Sequence, residues 1–288
     1  LTSVKFGENA TYNISNYAFI YSPIEKVVFT ANSTYTVGSQ AFVNAALTEI
    51  DMSAGNMTVT LNNGAFNCWR DNKLTGAVTS IKFGENSTYV RCEASFNDVL
   101  VTELKLAPNS NYTFKRYFIN GGDNRKTFTT FDASASNITL LVESEAFRNH
   151  KEVFTNLLIN GEGSTYTFNG SAFYDTKIAE ITLGKGSTYT FNNCFNGSTP
   201  IAMVDASADN LNVTVNAYGW GKNALATVLI TGKNGTYTFN SEAFRSSIFT
   251  ELTLGEGSTY TFNSGSMTNA NHIQKIMGIM NGTSNYIL

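Results

Sequence analysis

Few residues in this 288-residue chain have the types and spacing of a reactive site. Cys68, Cys92 and Cys194 include no Cys-x-x-Cys pair, and an odd number cannot pair completely within one chain. His150 and His272 lie far apart, so no repeated Cys/His set offers a metal site, and no cofactor is implied. No HExxH, phosphate-binding glycine loop or GxSxG occurs. Asp51, Asp132 and Asp205 recur, but they stand three or more repeats apart, which places them beyond a carboxylate pair's reach. The cluster Cys68-Trp69-Arg70-Asp71 is expected to cap a loop, and Cys194 to be a buried thiol. These features point away from an enzyme. The abundant chemical motif is Asn-x-Ser/Thr, with Asn32, Asn86 and Asn234 the exposed turn candidates for glycosylation. The same pattern arises unmodified wherever a turn wants Asn and the next strand begins with Thr.

The elements that would position any site come from an internal repeat. Its anchor is a hexapeptide with apolar first, fourth and sixth residues, as in Leu1–Val4–Phe6, Ile24–Val27–Phe29, Ile178–Ile181–Leu183 and Leu225–Val228–Ile230. A second block follows, clearest as Gly-Ser-Thr-Tyr-Thr-Phe-Asn at 163–169, 186–192 and 257–263. Tyr and Phe two apart share one face of a strand and are assigned inward, with the Thr residues outward. Next comes a small residue and Phe, Ala41-Phe42 for example, which suits a tight corner with Phe plugging the core. Cys194-Phe195 and the degenerate Tyr218-Gly219 are variants. Between the strands, Asn9, Asn32, Asn56, Asn86, Asn109 and Asn234 interchange with Gly163, Gly186 and Gly257. Asn and Gly share tolerance of positive φ, so a left-handed residue is predicted at each turn. Arg91 falls where a core aromatic is expected, which demands a register shift or a snorkelling side chain there.

A unit this small buries its apolar face only by stacking on neighbours. The fold expected is mainly β: one continuous solenoid over 1–288, about twelve coils, two strands and an Ala-Phe corner per 23–24 residues. Insertions are placed near 67–77, 119–127 and 141–150. With this strand, turn, strand and Ala-Phe corner, best carried by residues 1–19, 24–42 and 249–263, the chain resembles the BspA-like leucine-rich repeats. The resemblance covers nearly the whole chain. It implies a secreted or cell-surface microbial solenoid engaged in adhesion or host contact, and it brings no ligand residues with it. The Thr- and Tyr-rich second strand departs from the usual pattern.

Net charge is −3 and only 14% of residues are charged, so nothing points to nucleic acid. No run of about 18 apolar residues predicts a membrane-spanning helix. The third and fifth positions of the first strands should form one exposed, variable sheet face. Val28, Leu158, Met203, Leu229 and Met277 are its apolar candidates, with Lys82, Lys105 and Glu103 among its charged ones. The expected function is an extracellular, non-catalytic module binding a protein or glycan of a host or neighbouring cell through that face. The alternative is a structural subunit that self-assembles. The chain begins and stops on strands with no polar cap, so end-to-end stacking into a homopolymer is one expectation. Regular Thr-x-Thr pairs on the second strands are best explained as strand formers, with crystal-surface binding and lateral packing as sharper readings. That Thr ladder is expected to break at Asn13, Val90, Asn137, Asn212 and Ile287.

Overall fold

A computed structural model describes residues 2–67, 78–97, 99–120, 127–148, 150, 153–195, 201–220, 227–245, 249–267 and 276–278. Strands dominate, and every described strand pairing is parallel. The second strands, from Thr11–Ile14 to Thr259–Phe262, form one eleven-stranded sheet in sequence order. The first strands form sheets of four, three and five. Breaks fall between Ser80–Phe83 and Glu103–Lys105, and between Asn156–Leu158 and Glu180–Thr182. One apolar cluster runs from Ile14 to Leu252 between the two walls.

The inward assignments follow from the two-residue period of a strand. Tyr166 pairs with Tyr189 and Phe168 with Phe191, all four buried, while Thr165 and Thr167 look outward. Like rings stack on like rings: Phe19, Phe42, Phe66 and Phe96 follow one another at 4.8, 5.1 and 5.5 Å. The turn residues adopt the predicted positive φ, 55° at Asn32 and 66° at Gly186. Asn137 and Asn210 are also turn residues, at 57° and 59°. Asn137 therefore does not interrupt the Thr column; Thr139 pairs there with Thr165, and Leu141 is an interruption that the Thr pattern did not reveal. Cys92 takes the core place opposite Phe114 through a register irregularity, the shift that Arg91 demanded.

Three features lay beyond the sequence reading. First, the residue before each corner's small residue also has positive φ, and it is rarely Asn or Gly: Tyr17, Gln40, Glu145 and Glu242 are examples. Second, buried serines tie coils together, as Ser164 N–H donates to Ser187 Oγ at 2.9 Å and Met57 N–H to Ser87 Oγ at 3.0 Å. Third, coils come in threes. Tyr12/Tyr35, Tyr89/Tyr112, Tyr166/Tyr189 and Tyr237/Tyr260 are stacked pairs 4.8–5.2 Å apart. Val59, Leu140 and Val213 separate the pairs.

The coils without Tyr are those that carry Asp51, Asp132 and Asp205, within Asp-x-Ser-Ala-x-Asn at 51–56, 132–137 and 205–210. In Tyr coils the phenol reaches back five residues and accepts the turn N–H, from Gly84 at 2.9 Å, Gly184 at 2.7 Å and Gly255 at 2.7 Å. Where Val or Leu replaces Tyr, Asp Oδ1 accepts the corresponding N–H of Ser53, Ser134 and Ser207, each at 3.0 Å. A turn N–H must find a partner, and two residue types supply it by turns. The Asp turn is one residue longer, and its backbone presses on the following coil. A Cβ at Gly84 would lie 2.0 Å from the Ala54 carbonyl, and one at Gly232 2.2 Å from that of Ala208.

Of the three expected insertions, one is corrected and two lie mostly outside the described residues. Residues 141–147 are not an insertion: they end strand Thr139–Val142 and form an ordinary corner with Ala146 and Phe147 buried. Most of 67–77 and 119–127, with the Cys68 cluster and Ile287, lies outside the described residues.

Candidate functional site

The first-strand face is built by position three and position five of successive coils. Its first segment is charged and internally paired. Lys26 lies 2.9 Å from Glu49, and Lys82 donates to the same carboxylate at 2.5 Å. Hydrogen bonds from Lys82 and Lys26 hold the Glu49 carboxyl below the usual range, and Glu49 in turn raises Lys82. Lys105 pairs with Asp132 at 3.1 Å. Burial works against the charge on Asp132, but the Ser134 hydroxyl, the Ser134 N–H and Lys105 outweigh it, so its carboxyl is lowered. Lys82 and Lys105, candidates for a ligand, thus already hold carboxylates of the same face. Glu103 is exposed on it.

The second half is more apolar. Met203 pairs with Val228, and Ile230 with Thr253, which pairs in turn with Met277; all five are partly exposed except where strand neighbours cover them. Val28 is likewise half-buried, in the charged segment. Leu229 is not on this face. It is 1% exposed, paired with Val204 and Leu252 in the core. The anchor pattern misplaced this coil by one residue, because Val228 and Ile230 offer apolar fourth and sixth residues, whereas the residue that pairs with Ala206 at the sixth place is the polar Thr231. Counting back from Gly232, which matches Gly184 and Gly255, places Thr231 sixth and Leu229 fourth. Val228 and Ile230 are the outward residues that reading missed.

Leu158 is the most exposed apolar side chain of the face, at 42%. It sits at the break between Asn156–Leu158 and Glu180–Thr182, strands joined by the single bridge Ile159–Leu183. There the sheet opens into a groove of about 460 Å³ lined by Asn156, Leu158, Lys177, Ala179, Glu180 and Thr182. The groove combines an apolar side chain with amide, hydroxyl and charged groups, the mixture that fixes a ligand's position and orientation. Sequence alone located Leu158 but not the break, which depends on how neighbouring coils seat. Asn32, Asn86 and Asn234 are exposed turn residues away from this face.

A stacked parallel solenoid with a repeating core and one variable face is a repeat-built interaction scaffold of the leucine-rich type. The model of the BspA type leucine-rich repeat region, six copies, matches residues 1–124 and again 123–247. The chain belongs to that family, whose members are often surface-associated and protein-binding, on a fold that is typically a non-catalytic scaffold. No curated protein and no solved structure matches it.

Proposed function

We propose that this chain is an extracellular or cell-surface, non-catalytic binding module of twelve coils that grips a protein or glycan of a host or neighbouring cell. The contact is the second half of the first-strand face, centred on the groove at Leu158 and extended by Met203, Val228, Ile230 and Met277. The observation that carries this reading is an exposed leucine in an open groove, on a face whose lysines at 82 and 105 are already paired within the molecule. Glycans at Asn32, Asn86 and Asn234 would leave this face clear.

The test is attachment to host cells or matrix by the native chain and its variants. Leu158→Asp with Met203→Asp should keep the far-ultraviolet spectrum and stability within about 0.5 kcal/mol each, as surface changes do, and weaken attachment at least tenfold. Leu229→Asp should instead unfold the adjoining coils, because it buries an unpaired charge. Undiminished attachment by the folded double variant would remove the groove from the contact.

A further inference from the structure

The outer face of the eleven-stranded sheet differs in kind from the first-strand face. Two columns of outward side chains run its length, one starting Thr11, Thr34, Thr58 and the other Asn13, Thr36, Thr60. Of the twenty-two column positions, seventeen are Thr, three are Asn and the others are Val90 and Leu141; the one charged residue in the eleven strands is Arg91, the extra residue at the irregularity in Thr88–Cys92. Charge lies beside the columns instead. Lys233 and Glu256 pair at 3.5 Å along the turns, and Lys115 and Glu143 at 3.9 Å beyond the strand ends. On that second edge an amide ladder runs from Asn263 through Asn240, Asn216 and Asn192, each Nδ2 donating to the Oδ1 of the Asn in the preceding coil, and ends on Asn169 as acceptor.

Strand formation alone explains Thr but does not explain a single charged residue in eleven strands, since solvated sheet faces and edges ordinarily carry Lys and Glu. An uncharged centre with a charged rim is the anatomy of a protein interface. Identical rungs also restrict the partner. A globular surface of irregular chemistry can use few of them, whereas a second copy of this chain presents the same rung spacing by construction. Eleven strands about 4.8 Å apart, two outward residues wide, give roughly 700 Å² per copy, or about 1,400 Å² in total. That falls within the roughly 1,200–2,000 Å² of a stable interface. We infer that two copies pair through their Thr columns, methyl against methyl and hydroxyl against hydroxyl, as an isologous dimer that leaves both first-strand faces open.

The native chain should sediment as a dimer that dissociates on dilution within the micromolar-to-millimolar range. Two double variants test the face: Thr165→Lys with Thr236→Lys, and Thr165→Glu with Thr236→Glu. Each should keep the native melting temperature within a few degrees and associate with itself at least tenfold more weakly. An equimolar mixture of the two should recover pairing, which a folding defect could not do. A native chain that stays monomeric throughout, or variants that dimerise as the native chain does, would overturn the inference. A monomer that shapes growing ice crystals would overturn it too, and would assign the columns to a crystal lattice.

Discussion

Tyr189 connects the turn chemistry to the groove, and its phenol can be removed with little change of shape. Its hydroxyl accepts the Gly184 N–H at 2.7 Å and donates to the Ile159 carbonyl at 2.6 Å, fully buried. Burial pushes the phenol's pKa well above its usual value, so no ordinary pH ionises it. Ile159 and Leu183 form the one bridge between the two first-strand sheets at the groove, and Gly184 follows directly. Tyr189→Phe leaves one buried donor unpartnered and one buried carbonyl poorer. Such a loss costs about 1–3 kcal/mol for the donor, so about 2 kcal/mol is expected. Solenoids open locally, so this energy should be spent near the bridge rather than evenly along the chain. Hydrogen exchange followed by mass spectrometry reads it directly. Since about 1.4 kcal/mol is tenfold, peptides covering 156–160 and 180–185 should lose protection about thirtyfold. Peptides covering Thr34–Val37 should be unchanged. An equal loss along the whole chain, or unchanged protection at Gly184, would refute the claim that the phenol holds this turn.

Acid should destabilise the fold in two stages. His150 is buried against Phe128, its Nε2–H donates to the Ile119 carbonyl at 3.2 Å, and burial lowers its pKa to about 4. The neutral form is favoured in the fold, so its contribution is complete above pH 6.5 and lost as pH falls towards 4. That is about 3 kcal/mol at most, and His150→Met should flatten urea midpoints over this window. Below about pH 4 the lowered carboxyls of Asp51 and Asp132 become protonated and carry the remaining loss. Gly84→Ala should cost about 1–3 kcal/mol by forcing Cβ against the Ala54 carbonyl, where the coil must shift. Gly186→Ala, with open space and φ +66°, should cost about 1 kcal/mol from conformation alone, and equal urea midpoints for the two would deny the contact.

The period, the core columns and the Asn/Gly turns were legible because each is a property of one side chain in its own coil. Asn32 needs no neighbour to tolerate positive φ, and Tyr166 with Phe168 declares a strand face by spacing alone. What depends on the next coil was not legible. Only the pairing of Ala206 with Thr231 in the neighbouring coil shows that Leu229 points inward, and the sheet break at Leu158 follows from seating between coils. Positive φ at Gln40 or Glu145 is imposed by the corner and leaves no mark in residue type. The Asp turns were readable in principle, since Asp-x-Ser-Ala-x-Asn occurs with every aliphatic second strand, but a one-coil frame hides an alternation that spans three.

That alternation gives the chain a natural unit of growth and loss. A duplication or deletion of three coils would restore every junction to one already present: Tyr beside Tyr, Asp turn against Gly. Removing the coil after an Asp turn would bring a bulkier residue, such as Ala107, against that longer turn. Unequal crossing-over within such a gene would therefore be filtered by the fold into steps of about seventy to eighty residues, three times the roughly two dozen that one stacked unit of this kind occupies. Length, and with it the reach of the binding face, would change in those increments.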